Sequence, residues 1–546
     1  MADYRLSLKE KIGQLFMIGF KGTEVTEDVQ RLIETNNTGF IILFSRNIDA
    51  ISQVKELTRG IHALGKIPPF IYTDQEGGTV VQFKELAATV VSPMGLAAGG
   101  VPRNAGKAGR IIGAEMKTLG VNGVLAPSLD VNYEENNPII GIRSFSDDPE
   151  TVIKYALEFA VGLNETGVAC CGKHYPGHGG TTADSHLEIP TVDISPEYFF
   201  HYCYRPFYAA ARAGIDAMMT GHLLFPALSP RIATFCPYFI HQLLREQAGY
   251  NGVVMSDCLE MKAVKEHFSP TEMVKNAMDA GLDLMIASHS PDFQAELLEA
   301  LYFQVKKGVI PEKRIDESLE RILKLKEKYP SLPQLSPSPS PSPSPSPGST
   351  QETVRIHRAE EKKIADRSIT VLRNRKGIIP INPSARTLII EWGKVMAAMP
   401  PSSASNISYL ARSAGQFLER VDIETLDLLP DGNDGQGNPA ARIPETLRNR
   451  MKEYQQIIAA LYSRSPEIQR LQAGPLNELL GLRDDVIVIA LGNPYDIRNF
   501  PLVDTYAATY GFREVQVEAL FRVLTGALKP TGKLPVQIRG LFPRWS

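Results

Sequence analysis

Residues 167–186 read GVACCGKHYPGHGGTTADSH, an apolar run that passes directly into a polar loop. The part from Lys173 to His186 contains three histidines, a lysine and an aspartate, together with four glycine or proline residues. Parallel barrels keep their chemistry on loops at the C-terminal ends of buried strands. Burying such polar groups unpaired would be costly, so packing is a poor explanation for them. The stretch therefore predicts a buried parallel strand followed by a functional loop.

Seven further apolar runs precede residue 336 and alternate with segments of helical spacing. The runs are Leu15–Phe20, Gly39–Phe44, Phe70–Thr73, Val121–Ala126, Ala217–Thr220, Gly252–Ser256 and Leu282–Ala287, and the helical segments include Asp28–Thr35, Ala105–Leu119, Pro149–Thr166, Glu197–Ala213 and Ser269–Ala280. With Val168–Cys171 they make eight strands, which predicts an α/β fold of the (β/α)8 TIM-barrel type. A doubly wound open sheet also has strands that alternate with helices, but it usually stops at about six strands. Its G-x-G-x-x-G loop is also missing from this sequence.

A proline repeat marks a domain boundary. Residues 336–347 are six consecutive Ser-Pro pairs, which oppose helix and sheet pairing and favour an extended spacer. A recognition motif for a proline-binding partner is the alternative. We predict a barrel domain over 1–335, a linker over 336–350 and a smaller α/β domain over 351–546. In the last domain, Ala365–Asn374, Thr387–Trp392 and Asp485–Gly492 favour a helix and strands, and Glu514–Leu528 favours a helix.

Composition limits the class of protein. The net charge of −3 with 22% charged residues carries no basic surplus, so nucleic acid is not an expected partner. No run approaches the roughly 18 apolar residues of a membrane span, and the start lacks the apolar core of a signal peptide. The five cysteines are odd in number and form no CxxC pair, which favours a reducing compartment. We expect a globular cytoplasmic protein without a membrane partner.

Polar side chains follow five of the predicted strands, where a barrel would gather them at one end. In chain order they are Asp74, Arg143, Lys173 and His174, His222, and Asp257. Converging donors and acceptors of this kind suit a polyhydroxylated ligand such as a sugar. Structural alternatives exist for some of these polar residues. Asp130 and Asn132 are more typical of turns and caps, and His222 could close the barrel top by hydrogen bonding alone.

The histidine loop permits a metal interpretation and an acid/base interpretation. His174 and His178 are four residues apart, and Asp184 and His186 could complete a metal site. That spacing needs a helix, however, and Pro176 breaks it, so we predict no metal and no cofactor. In an extended loop, Asp184 and His186 project from the same side. The carboxylate can then orient the imidazole as an acid/base dyad.

These motifs together resemble glycoside hydrolase family 3, in its bacterial-type β-N-acetylglucosaminidase branch. The resemblance rests on KHYPGHGG at 173–180 with Asp184-Ser-His186, on Asp74-Gln-Glu-Gly-Gly78, Gly141-Ile-Arg-Ser-Phe145 and Gly252-Val-Val-Met-Ser-Asp257, and on Leu491-Gly-Asn-Pro-Tyr-Asp496 and Pro530-Thr-Gly-Lys-Leu-Pro535 in the second domain. It implies that Asp257 is the nucleophile and that Asp184 and His186 form the acid/base dyad. It further implies that Asp74, Arg143, Lys173 and His174 bind the terminal sugar, and that the second domain is an α/β/α sandwich.

Two positions depart from the family pattern. Thr79 stands where the family usually has an arginine, so a basic contact near the site is missing or comes from elsewhere. Cys258 stands where an acidic residue commonly follows the nucleophile. Both positions bear on leaving-group preference and site geometry rather than on the reaction.

Three functions follow as expectations. The first is a retaining, exo-acting β-N-acetylglucosaminidase acting on muropeptides, as in peptidoglycan recycling, or on chitin fragments. The second is a glycoside phosphorylase of the same fold, because a histidine acid/base repels phosphate less than a glutamate does. The third is a non-catalytic sugar-binding protein, which the presence of both Asp257 and His186 disfavours.

Overall fold

The computed structural model describes residues 5–182, 189–330, 347–392, 408–426, 443–463 and 466–546. In the first two ranges, eight parallel strands close into a barrel in which each strand pairs with its chain neighbours. They are β1 Phe16–Ile18, β2 Phe40–Leu43, β3 Phe70–Thr73, β4 Gly123–Val124, β5 Ala169–Tyr175, β6 Ala217–Thr220, β7 Val253–Cys258 and β8 Leu284–Ala287. The register Phe16↔Met285 joins β8 to β1 and closes the barrel. The predicted (β/α)8 fold is confirmed, and every predicted run overlaps one of these strands.

Helices surround the barrel, and most begin at a polar cap or a proline. Asp148, for example, accepts from the backbone N–H of Thr151 at 3.0 Å, with Pro149 at the first helical position. The α-helices are Leu8–Gly13, Glu27–Asn36, Ile51–His62, Pro93–Ala98, Arg103–Thr118, Pro149–Glu165, Pro196–Tyr198, Arg205–Arg212, Lys262–Lys265, Pro270–Ala280, Pro291–Lys306 and Glu312–Lys328. No helix in the described ranges is both long and apolar enough to cross a bilayer.

The segment predicted as one helix over Glu197–Ala213 is interrupted. A π-helical turn spans Phe199–Cys203, closed by the bond from Tyr204 N to Phe199 O at 3.0 Å, before the α-helix resumes at Arg205. Pro206 follows at once and has no backbone N–H to give to the preceding turn. The proline therefore accounts for the break in α-helical bonding.

The second sheet lies in the described residues after position 346 and has six strands in the order β9-β14-β13-β12-β10-β11. The strands are β9 Thr370–Asn374, β10 Thr387–Trp392, β11 Val421–Leu426, β12 Gln456–Leu461, β13 Val486–Ala490 and β14 Thr505–Ala508, and the helices are Pro347–Ser368, Tyr409–Phe417, Glu445–Arg450, Pro466–Leu482 and Glu514–Leu524. Only the β9–β14 pair is antiparallel within this sheet. The predicted α/β class of this part is confirmed. Most of the Ser-Pro repeat lies outside the described residues, and a helix begins at Pro347, within the predicted linker.

The second unit contacts the barrel beside the loop that follows β3. The Arg513 guanidinium, at the start of the last helix, donates through Nε to the carbonyl of Gly78 at 3.2 Å. Ser92 Oγ donates to the carbonyl of Tyr510 at 2.6 Å. A cation of the second unit thus reaches the backbone next to Thr79, where the family pattern places an arginine.

Candidate active site

A cavity of about 380 Å³ opens at the C-terminal end of the barrel. Five of the eight predicted site residues line it, namely Asp74, Arg143, Lys173, His174 and Asp257. They come from the ends of β3, β5 and β7 and from the segment after β4, which converge because all barrel strands are parallel. Lys262 and His289 are the exposed members of the lining, so they mark the mouth of the cavity.

Glu76, which the sequence analysis did not single out, joins two of the predicted cations. Arg143 donates to it through Nη2 at 2.8 Å and Nε at 3.0 Å, and Lys173 Nζ lies 2.6 Å from Oε1. Lys173 Nζ also donates to Asp74 Oδ1 at 2.6 Å. The result is an alternating row of charges, Arg143–Glu76–Lys173–Asp74, in which Glu76 is only 2% exposed.

Burial and charge oppose each other along this row. Burial raises the pKa of Glu76, but the charges of Arg143 and Lys173 outweigh burial and hold the pKa well below its usual range. Burial lowers the pKa of Lys173, but the carboxylates of Asp74 and Glu76 raise it above its ordinary value. Glu76 and Lys173 therefore stay ionised near neutral pH.

Asp130 is a buried anchor of the site rather than an ordinary turn residue. Its carboxylate accepts from His174 Nδ1 at 2.8 Å and from the backbone N–H groups of His174 at 3.1 Å and His178 at 2.6 Å. With Nδ1 donating to Asp130, His174 Nε2 accepts from Arg143 Nη2 at 3.3 Å. Asp130 thus orients His174 and links it to the charged row.

Asp257 lies at the end of β7 with its carboxylate facing the cavity. Burial raises the pKa of Asp257, but His174, His222, the backbone N–H of Cys258 and Lys173 bring it below its ordinary value. The Cys258 N–H donates to Asp257 Oδ1 at 2.7 Å. Asp257 is therefore an ionised carboxylate near neutral pH, as a nucleophile must be.

His222 is placed beside the cavity rather than in its lining. Its Nε2 donates to the carbonyl of Cys258 at 3.1 Å, and its Nδ1 lies 2.9 Å from Thr234 Oγ1. The ring thus holds the backbone that follows Asp257. Cys258 itself lines the cavity, with its thiol 3.2 Å from Ser288 Oγ.

Asp184 and His186 lie in 183–188, outside the described residues, but the structure describes the residues that lead up to them. Asn137 Nδ2 donates to the carbonyl of His178 at 2.9 Å, and Asp130 holds the N–H of the same residue. A Cβ at Gly179 would lie 1.8 Å from the carbonyl oxygen of Val131, so only glycine fits there. The loop that carries the predicted dyad therefore leaves the barrel from a fixed start.

Among the residues with assigned positions, no group of three or more His, Cys, Asp or Glu side chains is arranged to hold a metal ion. The carboxylates of Asp74, Glu76 and Asp130, in and beside the cavity, are paired instead with Lys173, Arg143 and His174. Those partners suit hydrogen bonding to sugar hydroxyls.

The sequence holds only weak indications that Glu76, Phe44 and His289 belong to the site. Glu76 stands two positions after Asp74, so an extended backbone turns both side chains to the same side. Phe44 ends one predicted apolar run, and His289 follows another within two residues. Neither feature distinguishes a cavity residue from a packing residue until the barrel is closed.

We expect Glu76→Gln to destabilise the barrel by about 3 kcal/mol or more, because it leaves two buried cations short of a counter-charge. Glu165→Gln is the matched control, since Glu165 pairs with Arg110 at the surface at 2.5 Å with both side chains about half exposed. The folded-state pKa of Glu76 lies below its unfolded value of about 4.3. Its stabilisation is therefore complete above that pH and is lost as the pH falls towards the folded pKa.

Urea unfolding at pH 7 and at low pH measures both effects. The Glu76→Gln deficit should shrink in acid, whereas Glu165→Gln should stay within about 1 kcal/mol of wild type throughout. Equal unfolding midpoints for Glu76→Gln and wild type at pH 7 would contradict the charged row as a stabilising element.

Comparison with known proteins agrees with this geometry. The family profile described as "Glycosyl hydrolase family 3 N terminal domain" matches residues 7–325. "Beta-hexosaminidase A" of Pseudoalteromonas piscicida is 27% identical over an alignment that covers 98% of each chain. "Beta-hexosaminidase" of Bordetella parapertussis is 35% identical over 53% of this chain and 83% of its own length.

A solved structure, that of a glycoside hydrolase family 3 β-N-acetylglucosaminidase from Paenibacillus sp. str. FPU-7, superposes with a TM-score of 0.84 at 32% identity. It covers 98% of this chain and 99% of its own. The two-domain arrangement is thus shared along nearly the whole length. The chain belongs to glycosyl hydrolase family 3, within its β-N-acetylglucosaminidase and β-hexosaminidase branch, and is a glycoside hydrolase.

Proposed function

We propose that the protein is a retaining, exo-acting β-N-acetylglucosaminidase that releases terminal β-linked GlcNAc through a covalent glycosyl-enzyme. The observation that carries this proposal is the ionised Asp257 carboxylate in one cavity with the fixed charges of Asp74, Lys173 and Arg143. A nucleophilic carboxylate beside converging polar groups is what glycoside hydrolysis with retention needs.

In the proposed first step, Asp257 attacks the anomeric carbon while His186 gives a proton to the departing oxygen. Asp184 orients the imidazole and favours its protonated form. In the second step, His186 takes a proton from water, which attacks the same carbon and releases GlcNAc and the Asp257 carboxylate. The row Arg143–Glu76–Lys173–Asp74 holds the hydroxyls of the sugar during both steps.

The closed inner end of the cavity supports exo action. Below the charged row the barrel interior is filled by buried side chains such as Tyr72, Cys171 and Met255. A glycan chain therefore has no path through the barrel, and we propose that the sugar that reaches Asp257 is a terminal one. Muropeptides and chitin oligosaccharides are the proposed substrates because both present such a terminal GlcNAc.

We propose the cytoplasm as the compartment. All five cysteines have free thiols, among them the adjacent and fully buried pair Cys170 and Cys171. Thiols in this number are typical of proteins kept in reducing surroundings.

The proposed hydrolysis is tested with an aryl β-GlcNAc glycoside, in the presence and absence of inorganic phosphate. We expect free GlcNAc at the same rate in both. Formation of GlcNAc-1-phosphate that depends on phosphate would replace hydrolysis by phosphorolysis. Binding of GlcNAc without turnover of any aryl glycoside would instead indicate a sugar-binding protein.

A further inference from the structure

Two ring side chains form part of the cavity wall at its mouth, next to the exposed Lys262. Phe44 follows β2 and His289 follows β8, and their rings are stacked with centroids 5.9 Å apart and an interplanar angle of 22°. Both rings line the same cavity as Asp257. We call this pair the aromatic wall. None of the catalytic steps described above uses it.

The aromatic wall is held rigidly from behind. The Arg46 guanidinium lies over the Phe44 ring, 4.5 Å from its centroid, and Nη1 lies 3.3 Å from His289 Nδ1. Arg46 is itself fixed by its Nε donating to the Phe20 carbonyl at 2.8 Å and its Nη2 donating to the Ser288 carbonyl at 2.5 Å. A rigid aromatic surface gives up little entropy when a ligand packs on it.

The backbone on both sides of the wall is also anchored. The N–H of Phe44 donates to Asn47 Oδ1 at 3.0 Å, and Asn47 is buried. The N–H of His289 donates to Glu260 at 2.6 Å, and Glu260 stands three residues after the nucleophile Asp257. The wall is therefore tied to the segment that carries the reacting carboxylate.

We propose that Phe44 and His289 form the leaving-group subsite, on which the apolar face of the pyranose next to the terminal sugar packs. The inference rests on the proposed exo hydrolysis, because a terminal sugar held by Asp74 and Lys173 leaves the next sugar at the mouth. A flat apolar surface that ends in polar groups matches a pyranose ring, which has C–H groups on its faces and hydroxyls at its edge. Phe44 is the specificity-determining residue of this subsite.

The test compares two substrates that differ in the leaving group. N,N′-diacetylchitobiose has a sugar leaving group, and β-GlcNAc fluoride has one too small to reach Phe44. We expect Phe44→Ala to lower kcat/KM for the disaccharide roughly 10- to 100-fold and to change that for the fluoride by less than about threefold. Phe44→Tyr keeps the ring face and should retain the rate on both substrates.

Phe303→Ala is the matched control, because Phe303 is a 55% exposed phenylalanine that does not line the cavity. It should leave both substrates unchanged. Equal losses of kcat/KM on the disaccharide and the fluoride in Phe44→Ala would show that Phe44 has a merely structural role. Unchanged rates on both substrates would show that Phe44 has no role in the reaction. Either result overturns the subsite.

Binding measurements separate this inference from the proposed reaction. In the Asp257→Asn background, adding Phe44→Ala should weaken binding of the disaccharide about tenfold or more and leave GlcNAc binding unchanged. If the wild type hydrolyses neither substrate while this difference in binding remains, the proposed function fails and the subsite stands. If disaccharide binding is unaffected, the subsite fails.

Discussion

Asp257→Ala should fold normally and lose turnover of β-GlcNAc glycosides by several orders of magnitude. In the proposed mechanism this carboxylate bonds to the anomeric carbon, and among the described residues no second free carboxylate lines the cavity. The other acidic side chains of the lining are committed, since Asp74 pairs with Lys173 and Glu260 accepts from the backbone N–H groups of His289 and Ser290. Steady-state kinetics with an aryl glycoside measures the loss.

Two further measurements identify Asp257 as the nucleophile rather than as a structural residue. An activated fluoro-sugar should label Asp257 in the wild type, as read by peptide mass spectrometry. Azide should partly restore turnover in Asp257→Ala by occupying the vacated space and should give the α-glycosyl azide. Asp279→Ala, at a surface ion pair with Lys275, is the control and should keep wild-type activity. Labelling of any other carboxylate would contradict the assignment.

His186→Ala should slow substrates with poor leaving groups about 10²- to 10⁴-fold, because these need a proton in the transition state. Aryl glycosides with acidic phenols should be much less affected at the first step, although the second step still lacks its base. Asp184→Ala should give a milder form of the same pattern, since it orients the imidazole without transferring the proton. Plots of rate against leaving-group pKa for the three proteins measure the difference.

The matched comparison within the same loop is His178→Ala. His178 lines the cavity, and mainly its burial brings its pKa down to about 4, so it is neutral at pH 7. A neutral imidazole is a poor proton donor, and its loss should not steepen the dependence on the leaving group. If His186→Ala and Asp184→Ala both keep near-wild-type rates on a natural disaccharide, the acid lies elsewhere and the loop only binds sugar.

Much of the fold could be predicted from residue pattern alone. The apolar runs at Gly39–Phe44 and Leu282–Ala287 are strands because they are short, bounded by turn residues and separated by helical spacing. Eight such units in series leave the barrel as the arrangement that buries every strand. The π-helical turn at Phe199–Cys203 was not predicted, because side-chain periodicity does not record which carbonyl each backbone N–H reaches.

The site residues also divide into those that could be predicted from the sequence and those that could not. Asp257 and Lys173 could be predicted from position, since polar groups at the C-terminal ends of buried strands converge in any parallel barrel. The pairing of Glu76 with Arg143 and Lys173 could not, because those residues lie 67 and 97 positions apart and meet only through the closed barrel.

The roles of Asp130, Phe44 and His289 depend on where their side chains point in the folded chain and on what they contact there. Asp130 has the composition of a turn residue, yet the approach of β5 to the segment after β4 turns its carboxylate beneath His174. Phe44 follows β2 and His289 follows β8, and both strands pair with β1, which brings the two rings into contact. The residue pattern was enough to place Asp74, Lys173 and Asp257 at the top of the barrel. Which side chains touch there depends on the folded chain, because hydrogen bonds and ring stacking act over a few ångströms and have no fixed spacing along the sequence.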